Sequence, residues 1–367
     1  RSVGLSTSNY ERTKRIMAFT TINNGSLFMN TKLYTGNGAN NHAITGVGFQ
    51  PDFVWCKNRT SAQSHALVNS VTGRKALQSN ATDAEYVMDA GKDFGTFDSD
   101  GFTVLVPNQL NSFNFNGGSL VSWNWKANGT GSANTVGSIN STVSANTTSG
   151  FSIVTFTGTG SAATVGHGLG AIPKMIIIKS LSGGTSDWIV YHNSIGNGKA
   201  LKLNSTVSPS ADAGYFNSTT PTSTVFSLGV DGFSNGSGQP MIAYCFANVQ
   251  GFSKMGSYTG NGSANGPFCF NGFSPSFVMI KRSDMSSTGR WVLWDNKRNP
   301  SNLMDNALFP NDSAVENDGY WKIDGLSNGF KIKDPEVEMN SNGGFYTYMA
   351  FAEAPLVGTN NIPANAR

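Results

Sequence analysis

Gly48-Phe49-Gln50-Pro51-Asp52-Phe53-Val54-Trp55 is a glycine–proline turn that runs straight into an apolar, strand-forming stretch. It returns as Gly170-Ala171-Ile172-Pro173-Lys174-Met175-Ile176-Ile177 and again as Gly272-Phe273-Ser274-Pro275-Ser276-Phe277-Val278-Met279. Successive copies lie 122 and 102 residues apart (170 − 48 and 272 − 170). Upstream, Tyr34-Thr35-Gly36-Asn37-Gly38 recurs with the same two offsets, as Phe156-Thr157-Gly158-Thr159-Gly160 and Tyr258-Thr259-Gly260-Asn261-Gly262. Two separate motifs sharing both offsets exclude coincidence, so the chain reads as three diverged copies of a unit of roughly 100 residues.

Further landmarks follow in each unit. A strand ends at Asn69, Asn193 and Asn296, and a turn precedes phenylalanine in Asp100-Gly101-Phe102, Asp231-Gly232-Phe233 and Asn328-Gly329-Phe330. The closing strands are Val121-Ser122-Trp123-Asn124-Trp125, Ile242-Ala243-Tyr244-Cys245-Phe246 and Tyr346-Thr347-Tyr348-Met349-Ala350-Phe351. Their alternation has the period of two expected of a half-buried strand. Helical periodicity is nearly absent; Thr82-Asp83-Ala84-Glu85-Tyr86 is the one expected helical turn. The expected fold is therefore all-β, three tandem β-sandwich, jelly-roll-like repeats of six to eight short strands each, every unit with a self-sufficient core.

The expected organisation is an N-terminal arm and lead-in strand over 1–31, repeat one over 32–128, a linker and hairpin over 129–150, repeat two over 151–256, repeat three over 257–355 and a C-terminal tail over 356–367. Asn128-Gly129-Thr130-Gly131-Ser132-Ala133-Asn134 has flexible-linker composition. The joint Val249 to Gly256 is short and partly apolar, which predicts a fixed angle between units two and three. Residues 1–16 carry no apolar signal core and are expected to be a leader upstream of Met17 or a docking arm.

Composition narrows the function classes. Charged residues make up 13% of the 367, with 43 glycines and a formal net charge of +3. No lysine–arginine stripe marks a nucleic-acid partner, and no run of 18 apolar residues marks a membrane helix. Cys56, Cys245 and Cys269 sit among apolar neighbours at unrelated places in the units, which predicts buried free thiols.

Candidate chemistry is sparse. Asp98-Ser99-Asp100-Gly101 has half the carboxylates of a calcium loop, but the further oxygen ligands are missing. His42, His65, His167 and His192 show no metal-ligand spacing. No nucleophile elbow and no carboxylate pair stand out. Catalytic residues, metal and cofactor are all expected to be none, and the chain is expected not to be an enzyme. Of Trp55, Trp123, Trp125, Trp188, Trp291, Trp294 and Trp321, the pair Trp188 and Trp291 share a repeat position, which favours core packing over sugar stacking. Lys57-Asn58-Arg59, echoed by Lys281-Arg282, reads as solvated strand ends.

Tyr34–Gly38 with Gly46-Val47-Gly48-Phe49-Gln50-Pro51-Asp52-Phe53-Val54-Trp55 resembles a repeat of uncharacterised virion-associated proteins of tailed phages, many of them marine. Val165-Gly166-His167-Gly168-Leu169-Gly170, Ala243-Tyr244-Cys245-Phe246-Ala247 and Leu326-Ser327-Asn328-Gly329-Phe330 resemble it too, so the likeness runs from about Phe19 to Pro355. The resemblance implies a structural component of a virion, such as a fibre, spike or decoration protein at the particle surface. Its partners would be other virion proteins and copies of itself in a homotrimer, with no nucleic acid and no membrane insertion. The alternative is a lectin-like module that recognises host surface glycan, with ligand-binding residues unknown.

Overall fold

The computed structural model describes residues 19–182, 184–284, 289–358 and 363; the arm expected over 1–16 and most of the tail expected beyond 358 lie outside the described residues. The first segment contains β1 (Met29–Thr35), β2 (His42–Thr45), β3 (Phe53–Asn58), β4 (Ala66–Asn69), β5 (Gly73–Leu77), β6 (Tyr86–Val87), β7 (Phe94–Asp98), β8 (Gly101–Val104) and β9 (Ser119–Trp125). The second contains β10 (Ser132–Asn134), β11 (Ser141–Asn146), β12 (Phe151–Thr157), β13 (Ala163–Gly166), β14 (Pro173–Ser180), β15 (Ile189–His192), β16 (Lys199–Lys202), β17 (Ser210–Ala211), β18 (Val225–Leu228) and β19 (Pro240–Ala247). The third contains β20 (Ser253–Thr259), β21 (Phe268–Phe270), β22 (Phe273–Arg282), β23 (Trp291–Asp295), β24 (Ile323–Leu326), β25 (Gly329–Ile332) and β26 (Phe345–Pro355). The fold is all-β, built from antiparallel sheets.

Each segment has one large and one small sheet. The large sheets contain the runs β1-β9-β3-β4, β12-β19-β14-β15 and β20-β26-β22-β23, which correspond strand for strand. In the small sheets β2 pairs with β8, β13 with β18 and β21 with β25. The hairpin expected to open the second segment is present, because β11 pairs with β12 and β10 extends that sheet.

The recurring Thr-Gly-x-Gly turn has a geometric cause. A one-turn helix before each closing strand ends in a buried asparagine: Asn114, Asn235 and Asn340. Each carboxamide oxygen accepts from the turn's backbone at Asn37, Thr159 and Asn261, 2.8–2.9 Å away. Each amide nitrogen donates to the carbonyl of Ala39, Ser161 or Ser263. A Cβ on Gly36, Gly158 or Gly260 would sit 2.2–2.4 Å from a backbone oxygen of the segment that follows that helix, so only glycine fits. Gly38, Gly160 and Gly262 adopt φ of 64°, 66° and 67°, where a side chain is strained.

The apolar runs that follow each Pro-containing turn are buried on both faces. On β3, Val54 and Cys56 pack with Ile44, Phe102 and Val104 of the small sheet, whereas Phe53 and Trp55 face the other way. On β14, Ile176 and Ile178 likewise face the small sheet while Met175 and Ile177 face away. Residues without alternation belong to strands covered on both sides. The outward-facing set from all three large sheets meets in one central core. At its centre Trp125, Phe246 and Phe351, which hold the same register opposite Phe53, Met175 and Phe277, form a triangle with centroid distances of 6.4, 6.0 and 5.8 Å. Self-sufficient cores were expected; the first and second segments do keep a core between their own two sheets, but all three also share the central one, because their large sheets expose a second apolar face that only the other segments cover.

Four local expectations are also corrected. Thr82–Glu85 is not helical, and Tyr86 begins β6; the Thr82 carbonyl and the Glu85 N–H bond to the second segment. Asp231-Gly232 does not open a strand: the Asp231 carboxylate caps the helix Gly232–Asn235, and Phe226 takes the place of Phe102 and Phe330 opposite the small-sheet strand. Asn193 and Asn296 lie one residue past their strands, so the positions equivalent to Asn69 are His192 and Asp295. The glycine-rich joint after β9 is held in place. Asp52 accepts from the N–H groups of Ala127 and Gly129, and Ser70 donates to the Gly129 carbonyl.

Candidate functional site

Period two places Lys57 on the same face of β3 as Phe53 and Trp55. Lys179 and Lys281 stand at the corresponding places on β14 and β22, again 122 and 102 residues on (179 − 57 and 281 − 179). All three are fully buried. Each amine crosses to a neighbouring segment: Lys57 Nζ donates to Ser313 O at 3.2 Å, Lys179 Nζ to Thr82 O at 2.9 Å and Lys281 Nζ to Thr206 O at 3.0 Å. A second carbonyl, of Asn58, Ser186 or Gly289, completes each site. The expectation of solvated strand ends is thus overturned for Lys57 and Lys281, whose heads are covered by the adjoining segment's loop.

The neighbouring contacts run the same way around. His65 Nε2 meets Phe309 O at 3.0 Å, Trp188 Nε1 donates to Gln78 O at 3.0 Å, and Trp291 Nε1 donates to Lys202 O at 2.9 Å. At the far end of the fourth strand, Asn69 reaches the Tyr244 hydroxyl, His192 the Tyr348 carbonyl, and Asp295 accepts from Trp123 Nε1. First touches second, second touches third and third touches first, so the contacts close a ring around the aromatic triangle. The third–first contact also carries a buried ionic cluster. Arg298 donates to Asp295 at 2.5 Å and to Glu316 at 2.9 Å, and Glu316 also accepts from Arg59 Nε and Nη2.

Burial pushes the Lys57 and Lys179 amines down to about 8 and Lys281 down to about 7, against nearby carboxylates that pull the other way. Unfolded lysine titrates near 10.5. Between those values the unfolded chain binds more protons than the folded one, so stability rises with pH. We expect the free energy of unfolding to increase from pH 7 to pH 9, by on the order of 1 kcal/mol or more per lysine. Cys56, Cys245 and Cys269, each raised to about 12 by burial, work against the trend above about pH 9, where the unfolded thiols ionise. Urea titrations of the parent and Lys281→Met at both pH values test this, the variant losing the largest share of the slope. A parent whose stability is flat or falls across that window contradicts the account.

The remaining sequence candidates are each bound up in structure. His65, His167 and His192 accept at Nδ1 from Trp55 Nε1, Leu169 N and Ser194 N, and their Nε2 atoms face backbone carbonyls. That pattern fits neutral rings, and burial lowers all three, His192 to about 4. His42 meets the Asn114 carboxamide. Asp100 accepts from the N–H groups of Gly46 and Gly48, which lower its pKa, and Asp98 from the hydroxyls of Thr96 and Thr103. Among the described residues no group of three or more His, Cys, Asp or Glu is arranged to hold a metal. The three cysteines are buried and free. Six tryptophans are at most 3% exposed, and Trp321 is half-buried against Phe309.

Sequence reasoning misread Lys57 and Lys281 and missed Lys179 and the three helix-ending asparagines. Both were detectable: the lysines follow the two offsets, and each asparagine precedes a glycine-containing turn before the closing strand.

Fold and contacts together define an all-β protein in which three segments of like strand order close on one core. The family model described as a domain of unknown function, DUF7483, matches residues 24–355, and the chain belongs to that family. The matched span reaches from just before β1 to the end of β26, all three segments included. No curated protein matches the chain.

Proposed function

We propose that this chain is a structural component of a tailed-phage virion, a fibre, spike or decoration protein, formed by three tandem β-sandwich copies of jelly-roll-like topology. The topology is nested: first and last strands adjoin in the large sheet, and the second and a later strand adjoin in the small one. With their opening strands included, the copies begin at Met29, Phe151 and Ser253. The observation that carries the reading is the closed ring. Lys57, Lys179, Lys281, His65, His192, Asp295 and Arg298, among the groups best suited to chemistry, are buried as clamps between copies, leaving a broad, weakly charged exterior. The phage resemblance and the burial of six tryptophans support it over a tryptophan-lined lectin. A ring closed within one chain also suits a place where threefold-related partner proteins meet. Quantitative proteomics of purified particles is the test. The chain should be present in a fixed ratio to other virion proteins; its absence from particles, with glycan binding as a free monomer, overturns the proposal.

A further inference from the structure

The third segment departs from the other two at one place on its small sheet. Cys269, Ile44 and Val165 are equivalent, since they pair with Phe330, Phe102 and Phe226. Flanking positions on the outer face are Ala43 and Thr45 in the first segment and Thr164 and Gly166 in the second. In the third they are Phe268 and Phe270, 45% and 51% exposed. Two residues on, Asn271 stands where the first segment, one residue longer at this point, has fully buried Val47: each precedes the glycine of the recurring turn, Gly272 or Gly48, and its N–H bonds the equivalent carbonyl, Asn271 N to Asn328 O and Val47 N to Asp100 O. Asn271 is 7% exposed, and neither its amide nitrogen nor its oxygen has a hydrogen-bond partner among the described residues. A buried carboxamide without partners is destabilising and calls for an explanation outside ordinary packing. The fold does not require it, because valine serves in the sister segment.

Phe270 and Asn271 both line a surface cavity of about 410 Å³, walled also by Phe19, Asn248, Gln250 and Lys254. The Lys254 amine donates to the Phe270 carbonyl and lies 5.6 Å from its ring centre. Among the described residues no carboxylate lines the cavity. We infer that this cavity is a carbohydrate subsite that takes one pyranose unit, stacked on Phe270, with its hydroxyls served by the surrounding amides and Lys254 and, directly or through water, by Asn271. A pyranose has an apolar C–H face and a polar edge, which match an exposed ring beside amide groups, and the volume falls in the range of small-ligand sites. A purely apolar protein contact would not account for the polar wall. The inference does not depend on the virion proposal: sugar binding and particle composition succeed or fail separately.

Saturation-transfer NMR with the full chain and the methyl pyranosides of glucose, galactose, mannose, N-acetylglucosamine and glucuronic acid tests it. At least one should receive transfer from the protein. Phe270→Ala, at a surface position, should weaken that binding about tenfold or more without moving the melting temperature. Asn271→Val, which installs the first segment's residue, should raise the melting temperature and weaken binding. Absence of transfer to every pyranoside, or undiminished transfer in both variants, overturns the inference. So does self-association that Phe270→Ala abolishes without any sugar binding, which would make the two rings a protein contact.

Discussion

Trp125→Ala is expected to lower the free energy of unfolding by about 3–5 kcal/mol, the range for removing a large buried aromatic. Trp125 is 2% exposed and packs against Phe53 of its own segment, Phe246 of the second and Phe277 and Phe351 of the third, at centroid distances of 5.2, 6.4, 5.6 and 5.8 Å. Its indole N–H has no hydrogen-bond partner among the described residues, so the loss is one of packing and not of hydrogen bonding. The surrounding rings come from different sheets and cannot collapse into the space without moving the segments relative to each other. Trp125→Phe is the control: phenylalanine occupies the equivalent place in both other segments, and the change should cost less than about 1.5 kcal/mol. Urea unfolding followed by circular dichroism should show one transition in the parent and in both variants. A near-parental Trp125→Ala, or a first segment that melts alone while the others persist, would contradict the shared core.

That shared core was only half legible. The all-β class and most strand positions followed from motifs at fixed offsets, because turns demand glycine, proline and asparagine locally. What the strands face is not local. Phe53-Val54-Trp55-Cys56 and Met175-Ile176-Ile177-Ile178 lack the alternation of a sheet with one wet side, and that was the available sign of a second buried face. A unit of roughly 100 residues is large enough to hold a core of its own, which made separate sandwiches the natural expectation. Asp231-Gly232 misled for a related reason: the same dipeptide serves a hairpin in Asp100-Gly101 and a helix cap at Asp231, and composition alone does not separate the two.

The contact residues were harder. Lys57 reads as a polar strand end unless its partner carbonyl is known, and Ser313 lies in another segment, 256 residues away. Burial here is a property of the ring and not of the strand. The same holds for Phe270 and Asn271, whose oddity shows only when the segments are aligned by their pairing and turn bonds and the buried valine at position 47 is compared with the asparagine.

Asp295→Ala should cost a further amount in the same range, about 3–5 kcal/mol, because it strands a buried cation. Arg298 and Asp295 side chains are both 0% exposed, and the carboxylate also accepts from Trp123 Nε1 at 2.9 Å and from the N–H groups of Lys297 and Arg298. Alanine removes all four acceptor contacts at once. Glu316 at 2.9 Å and the Asn306 carbonyl at 2.7 Å remain for Arg298, which sets the loss toward the lower end. The decisive comparison is Asp295→Ala with Arg298→Met added. Methionine fills the space without a charge, so the double variant should be more stable than Asp295→Ala alone, a coupling that a double-mutant cycle measures directly. Glu316 then keeps Arg59, its partner from the first segment, so the third–first contact survives the exchange. If Asp295→Ala unfolds within about 1 kcal/mol of the parent, or if Arg298→Met deepens the loss, the cluster is not the buried ionic clamp that its geometry describes.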